Sequence, residues 1–158
     1  MSGILFDPSD APIDWRGDAG PLPASRLSPP ALRQRFVAPA GWTPEPGADP
    51  ATDKGTRPPV AAAVLVPIVV RDAGLSVLLT RRTAHLHDHA GQISFPGGRV
   101  DATDSDPVAT ALRETEEEIG LARRHVEVLG WLPDYLTGTG FLVTPVVALV
   151  HPPFVLAA

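Results

Sequence analysis

The strongest constraint on the fold is an apolar run, Val60–Val70, that is rich in β-branched residues. Such a run is typical of a buried strand. It contains Pro67 and falls well short of the roughly 18 residues that a membrane-spanning helix needs. The N-terminus also lacks the basic region followed by an apolar region that marks a secretory signal. We therefore expect a cytoplasmic protein built around a buried strand.

The residues before this strand have a different composition. The chain has 158 residues, which favours one folded domain, and most of its 19 prolines precede residue 60. Residues 39–59 are rich in Pro, Gly and small residues, which predicts a loop or linker. Ser28, followed by two prolines, predicts the N-cap of a short helix over Ala31–Val37. We therefore expect an N-terminal arm, residues 1–58, and a folded domain, residues 59–158.

Turn residues divide the domain into strands and one helix. The helix is predicted to have Asp106 as its N-cap, Pro107 at its first position and Gly120 just past its end. A turn at Asp72–Gly74 separates the first two strands, and Pro96-Gly97-Gly98 is expected to stop the third. The predicted strands are Val60–Val70, Leu75–Thr80, Ile93–Phe95, Val126–Leu132 and Phe141–Val150. This order predicts the α/β (α+β) class, with helices packed on a mixed sheet.

Composition excludes several classes of function. The formal net charge is −5, so the chain is a poor candidate for nucleic-acid binding, which depends on a basic patch. It contains no cysteine, which rules out disulfides, thiolate metal sites and a cysteine nucleophile. We therefore expect neither nucleic acid nor a membrane as a partner.

The predicted helix over residues 107–121 has two distinct faces. A helical wheel places an apolar stripe on one side, which should pack on the sheet. Glu114, Glu117 and Glu118 fall on an adjacent arc about 100° wide. These carboxylates repel one another, and a divalent cation such as Mg²⁺, which prefers oxygen ligands, would remove the repulsion. The stripe consists of Val108, Ala111, Leu112, Thr115 and Ile119.

A solvated acidic face is the common explanation of such a helix. Two neighbouring features favour a ligand site instead. Arg113 lies four residues before Glu117 and can hold its carboxylate. The loop Phe95–Gly98 precedes the helix, and Gly97 and Gly98 would let backbone carbonyls approach a metal closely.

Arg113–Leu121 resembles the signature of the Nudix hydrolases, G-x5-E-x7-R-E-U-x-E-E-x-G-U, where U is a bulky aliphatic residue. Thr115 stands at the first aliphatic position of this segment. The front half departs further, because Asp104 stands at the acidic position and lies one residue too far from Arg113. The pattern indicates a one-residue insertion, with Asp104 or Asp101 replacing the missing glutamate.

A second stretch, Leu78–Gly98, is similar to the pattern L-L-T-x-R-S-x-x-L-x-x-H-x-G-Q-[IV]-x-F-P-G-G of coenzyme A pyrophosphatases. Leu86, His89 and Gln92 stand at its spaced positions, whereas Thr83 replaces the serine. The two motifs together cover Leu78–Leu121 and indicate the coenzyme A pyrophosphatase-like subgroup of the Nudix family.

The resemblance implies an α/β/α sandwich with a mixed central sheet. The family usually continues through a further C-terminal helix, and the sequence leaves open whether this part is complete. It also implies bound Mg²⁺ or Mn²⁺, with Glu114, Glu117, Glu118 and Gly98 as metal ligands. Glu117 and Glu118 are the expected catalytic carboxylates, together with Arg113, and the motif does not show which carboxylate takes the proton of water.

The substrate implied by the resemblance is coenzyme A or acyl-coenzyme A, cleaved to 3′,5′-ADP and (acyl-)4′-phosphopantetheine. The alternatives are ADP-ribose, a nucleoside triphosphate, or a catalytically silent nucleotide-binding module. The residues expected to contact substrate are Arg81, Arg82, His89 and Gln92, with a surface-exposed position as the alternative for the two arginines. His85 and His87 are interpreted as exposed loop residues rather than zinc ligands, and a homodimer is left open.

Overall fold

The computed structural model describes residues 20–38, 58–81 and 93–157. Across these ranges the chain forms two α-helices and eight strands, with short 3-10 turns at Ala24–Arg26 and Arg123–His125. The elements are α1 (Pro29–Val37), β1 (Val60–Arg71), β2 (Gly74–Val77), β3 (Thr80–Arg81), β4 (Ile93–Ser94), β5 (Gly97–Arg99), α2 (Pro107–Ile119), β6 (Val126–Trp131), β7 (Tyr135–Leu136) and β8 (Phe141–Val150).

The sheet is mixed and is centred on two long parallel strands. β1 pairs with β8 in parallel from Val60 opposite Phe141 to Val69 opposite Val150. β5 and β2 pair antiparallel with opposite ends of β1, and β7 and β6 do the same with β8. β3 and β4 form a separate two-stranded sheet. The mixed sheet predicted from the sequence is confirmed.

Helices cover both faces of this sheet. The face toward α2 holds the core, in which β1 and β8 residues pack with Ala111. Val126 and Val128 of β6 pack against the same core, so the alternation of side chains along a strand turns Glu127 to the other face. There Arg33 of α1 donates hydrogen bonds to Glu127. The molecule therefore has the three-layer arrangement expected from the sequence.

Both helices begin where their capping residues predict, and α2 also ends where its glycine predicts. The Ser28 hydroxyl accepts a hydrogen bond from the Ala31 N–H, at 3.4 Å. The Asp106 carboxylate accepts one from the Ala109 N–H, at 2.8 Å. Gly120 follows α2 in the left-handed conformation, with φ 68°, which suits a glycine just past a helix. Both predicted N-caps and the predicted end of the second helix are confirmed.

Two local predictions were wrong. The strand predicted over Leu75–Thr80 is divided, because β2 ends at Val77 and Thr80 pairs with Ser94 in the small sheet. Of the predicted loop Phe95–Gly98, only Phe95 and Pro96 lie between strands, since Gly97 starts β5 on β1. Gly97 has φ 154°, and an added Cβ would lie 2.6 Å from the Val64 Cα. A glycine therefore permits this close strand contact, which a local turn signal cannot reveal.

The predicted linker, residues 39–59, falls largely outside the described residues. In the part of the chain that the structure describes, no helix has the length and apolar character needed to cross a membrane.

Candidate active site

A cleft of about 650 Å³ runs along the acidic face of α2. Its polar lining includes Glu114, Glu117 and Glu118, which the structure therefore brings together as the helical wheel predicts. Arg81 lines the same cleft, while Arg82, His89 and Gln92 lie outside the described residues, as do His85 and His87. The other lining residues are Leu78, Leu79, Thr80, Ser94, Phe95, Gly97, Ile119, Leu156 and Ala157.

The packing of α2 on the sheet directs these carboxylates into the cleft. Ala111 and Thr115 are buried, and Val108, Leu112 and Ile119 pack against the core. This is the apolar stripe predicted from the sequence. With that stripe fixed on β1 and β5, the adjacent arc of the helix must face the cleft.

Arg113 has a different main partner from the one predicted. Its Nε donates to Asp104 Oδ1 at 3.0 Å and its Nη2 donates to Asp104 Oδ2 at 2.8 Å. The predicted partner, Glu117, receives a single bond from Nη1 at 3.2 Å, and Glu114 receives one at 2.9 Å. The Asp104 side chain is only 5% exposed, whereas that of Glu117 is 61% exposed, so the bidentate contact is the one better shielded from water. Arg113 therefore joins the turn before α2 to two cleft carboxylates.

The turn before α2 fixes the Asp104 carboxylate. Its Oδ2 also accepts hydrogen bonds from the Asp101 N–H and from the Thr110 hydroxyl, each at 2.9 Å. The Arg113 guanidinium, with the Asp101 N–H, holds the pKa of Asp104 well below its usual range. Asp104 and Glu114 in turn raise the pKa of Arg113. Of the two predicted replacements for the missing glutamate, Asp104 is the one that contacts Arg113.

Asp101 organises the turn instead. Its Oδ1 accepts hydrogen bonds from both the N–H and the hydroxyl of Thr103, at 2.9 and 2.8 Å. These bonds lower the pKa of Asp101.

The glycines of β5 contact the cleft carboxylates directly. A Cβ on Gly98 would lie 2.5 and 2.6 Å from the two carboxylate oxygens of Glu114. The Gly97 N–H donates a hydrogen bond to Glu118 Oε2 at 3.2 Å. The predicted role of Gly98 as a metal ligand stays a prediction, and the structure adds that a Cβ at this position would overlap the Glu114 carboxylate where it now lies.

The charges of the cleft suit a cation. Four carboxylates and two guanidinium groups of the described residues lie in or beside it, so negative charge exceeds positive charge. The carboxylates are those of Glu114, Glu117, Glu118 and nearby Asp104, and the guanidinium groups are those of Arg113 and Arg81. Among residues 20–38, 58–81 and 93–157, however, no three acidic or histidine side chains are arranged around a common point. Instead, Glu114 and Glu117 accept hydrogen bonds from Arg113, and Glu118 accepts one from the Gly97 N–H. The donor set fits Mg²⁺ or Mn²⁺, which would replace some of these contacts.

Sequence reasoning missed three contributors to the site. Thr110 is fully buried and bonds Asp104, although it lies beside the predicted stripe. Leu156 and Ala157 line the cleft from the C-terminal segment. The Ala157 N–H donates to the Ile119 carbonyl at 2.8 Å. No periodicity or motif marks that segment, so its sequence carried no signal of this position.

The family model for the NUDIX domain matches residues 59–155, and the chain belongs to the Nudix family. Proteins named "Uncharacterized Nudix hydrolase NudL" from Salmonella paratyphi B and Salmonella newport are each 52% identical to it over 91 residues. The match covers 58% of this chain and 47% of each relative, so the chain spans about half their length.

Solved structures share the fold. The Nudix hydrolase RenU from M. smegmatis superposes with a TM-score of 0.53 at 24% identity, covering 64% of this chain and 65% of RenU. A C. elegans Ap4A hydrolase, in a binary complex, gives a TM-score of 0.52 at 22% identity, covering 61% of this chain and 70% of that one. At these identities the likeness concerns the fold alone.

Proposed function

We propose that this protein hydrolyses a diphosphate bond in a small nucleotide-derived substrate, with the help of Mg²⁺ or Mn²⁺. The observation that carries this proposal is that Glu114, Glu117 and Glu118 all line one cleft, in which negative charge exceeds positive charge. Membership of the Nudix family supports the same chemistry.

The chemistry follows from charge. A diphosphate is anionic, so attack by water requires positive charge beside its oxygens. A divalent cation supplies that charge when bound and lowers the pKa of a coordinated water. Glu114, Glu117, Glu118 and the Gly98 carbonyl would hold the cation. Arg113 keeps Glu114 and Glu117 in place, and Glu117 or Glu118 accepts the proton of water, so no covalent nucleophile is required.

Coenzyme A or acyl-coenzyme A is the proposed substrate, giving 3′,5′-ADP and (acyl-)4′-phosphopantetheine. The resemblance of Leu78–Gly98 to coenzyme A pyrophosphatases supports it, and so does the apolar part of the cleft. Arg81, which lines the cleft, is proposed to contact a phosphate, and the resemblance adds Arg82, His89 and Gln92. A cytoplasmic location stays a prediction from the sequence, which leaves a homodimer open.

A catalytically silent nucleotide-binding module is the second candidate. The altered front half of the Nudix signature, in which Asp104 stands at the glutamate position, supports it. Incubation of the purified chain with coenzyme A, ADP-ribose and the nucleoside triphosphates, each with Mg²⁺ or Mn²⁺, distinguishes an enzyme from such a module. Hydrolysis should stop in EDTA and return when the cation is restored. Full activity in the chelator would contradict the proposal.

The matched pair Glu118→Gln and Glu116→Gln tests the site itself. The glutamine at 118 keeps an oxygen that can accept the Gly97 N–H but loses one charge, so the fold should survive. We expect the rate to fall about 10²-fold or more, because a charged ligand of the cation is lost. Glu116 pairs with Arg123 at 3.4 Å, off the cleft, so Glu116→Gln should leave the rate nearly unchanged. Equal rates for the two variants would place the cation elsewhere.

A further inference from the structure

The C-terminal segment Phe154–Ala157 is fixed against the end of α2. Phe154 packs against the core, with its ring centroid 6.2 Å from that of His125. At the other end of the segment, the Ala157 N–H bonds the Ile119 carbonyl at 2.8 Å. An added Cβ on Gly120 would lie 3.0 Å from Ala157, so the two backbones are in close contact. The segment therefore has a defined position beside the cleft.

Within this segment, alternate side chains face different surroundings. Val155 is 88% exposed and is not part of the cleft lining. Leu156 is 37% exposed and lines the cleft together with Ile119 and Glu118. Leu156 thus places an aliphatic side chain on the cleft wall, close to the carboxylates.

The apolar part of the cleft is mainly aliphatic. Leu78, Leu79, Ile119 and Leu156 line it, together with the ring of Phe95. Leu79 is 48% exposed and Phe95 is 36% exposed, so a ligand can remove apolar surface from water there. Covering this apolar surface favours binding. A sugar would place hydroxyl groups against this surface, whereas an aliphatic group would not.

We infer that Leu156 is a specificity-determining residue, which contacts an aliphatic group joined to the diphosphate and favours such esters over sugar esters. This inference rests on the proposed function, since it assumes that the carboxylate end of the cleft receives the diphosphate through a cation. Beyond the proposed function, it assigns a role to Leu156 and states that the polarity of the group joined to the diphosphate determines which substrates are preferred.

Dephospho-coenzyme A and ADP-ribose form the matched substrate pair for a test. Both carry adenosine diphosphate, and they differ in the group joined to it, which begins with the gem-dimethyl carbons of pantetheine in one and is ribose in the other. Leu156→Ser should lower kcat/KM for dephospho-coenzyme A by about 10-fold, the usual scale for lost apolar contact in a binding pocket. It should change kcat/KM for ADP-ribose less than about 2-fold, because a sugar gains little from the leucine. The control Val155→Ser should leave both values unchanged, and Leu156→Met should keep the preference.

Thermal denaturation of each variant accompanies these assays, and Leu156→Ala replaces Leu156→Ser if the latter unfolds. An equal loss on both substrates, or no loss on either, would overturn the inference. Calorimetric measurement of the binding of both compounds in Mg²⁺ tests this inference separately from the proposed function. If the wild type hydrolyses neither compound, nor coenzyme A or a nucleoside triphosphate, the proposed function fails. The binding measurements then test the inference. Weaker binding of dephospho-coenzyme A alone in Leu156→Ser supports it. Wild-type binding that does not favour dephospho-coenzyme A over ADP-ribose overturns it.

Discussion

Arg113 connects three carboxylates that come from two parts of the chain. Its Nε and Nη2 donate to Asp104 in the turn before α2, while its Nη1 donates to Glu114 and Glu117 on the helix. The sequence predicted a simpler contact with Glu117 alone, because helical spacing reveals only partners on the same helix. The one-residue insertion before α2 hid the role of Asp104, whose position depends on how the turn folds.

Arg113→Lys tests whether this arrangement positions the cation ligands. Lysine keeps the charge but cannot form two parallel bonds to Asp104 while reaching both glutamates. We expect about a 10-fold lower rate, together with weaker apparent affinity for Mn²⁺, in metal titrations at saturating substrate. Arg124→Lys, at an exposed position off the cleft, serves as the control. Coincident metal curves for wild type and Arg113→Lys would refute the positioning role.

Gly98→Ala tests the close approach of β5 to Glu114. The new Cβ would overlap the Glu114 carboxylate, which must then move by about 1 Å. Displacements of this size can cost about 10²-fold in rate, so we expect a loss approaching that value. Gly20→Ala is the matched control, because an added Cβ there meets nothing within 4 Å. Steady-state kinetics of both variants give the comparison, and unchanged kinetics for Gly98→Ala would show that Glu114 tolerates displacement.

Among the elements, α1 depends on specific contacts rather than on burial. None of its residues is buried. Arg33 forms two bonds with Glu127 on β6, at 2.6 and 2.8 Å, and His151 Nε2 lies 2.9 Å from the same carboxylate. The ring of Phe36 lies over Gly130, where an added Cβ would be 2.7 Å from it. Among the described residues, α1 is therefore attached to the sheet through the Arg33–Glu127 ion pair and the contact of Phe36 with Gly130.

This attachment should weaken in acid. The Arg33 hydrogen bonds, followed by His151, lower the pKa of Glu127 from 4.5 to about 2. A lowered carboxyl pKa means that the contact is fully present above pH 4.5 and is lost as the pH falls toward 2. NMR signals of the Phe36 ring, followed across this range, should change as the helix detaches. Glu127→Gln should abolish that change and Glu116→Gln should retain it, whereas the same response in Glu127→Gln would assign it to another group.

Elements defined by local chemistry could be predicted from the sequence. Ser28 and Asp106 mark the two helix starts, and the β-branched run of β1 marks the central strand. Elements defined by distant partners could not. β5 contains Gly97 and Gly98, which disfavour a strand in isolation, and forms only because β1 lies beside it.

At the scale of the whole molecule, the candidate site combines segments that are far apart in sequence. Its carboxylates could be predicted because three of them lie on one helical face within a few residues. Its apolar wall could not, because Leu156 reaches the cleft only after β8 has crossed the sheet and returned the chain to the end of α2. The sequence therefore indicated the chemistry of the site better than its shape.

The central strand should determine both stability and activity, because β1 supports α2 and so the carboxylates. Leu65 of β1 is fully buried in the core that contains Ala111 of α2. Leu65→Ala should lower the free energy of unfolding by about 2–5 kcal/mol, since it removes apolar contacts and leaves a cavity. The same change at Leu22, which is 59% exposed, should shift it by about 0.5 kcal/mol or less. Urea denaturation measures the two changes in unfolding free energy, and equal changes would show that Leu65 does not belong to the core. Leu65→Ala leaves the cleft residues themselves unchanged. Its loss of rate should therefore equal the fraction of the protein that is unfolded.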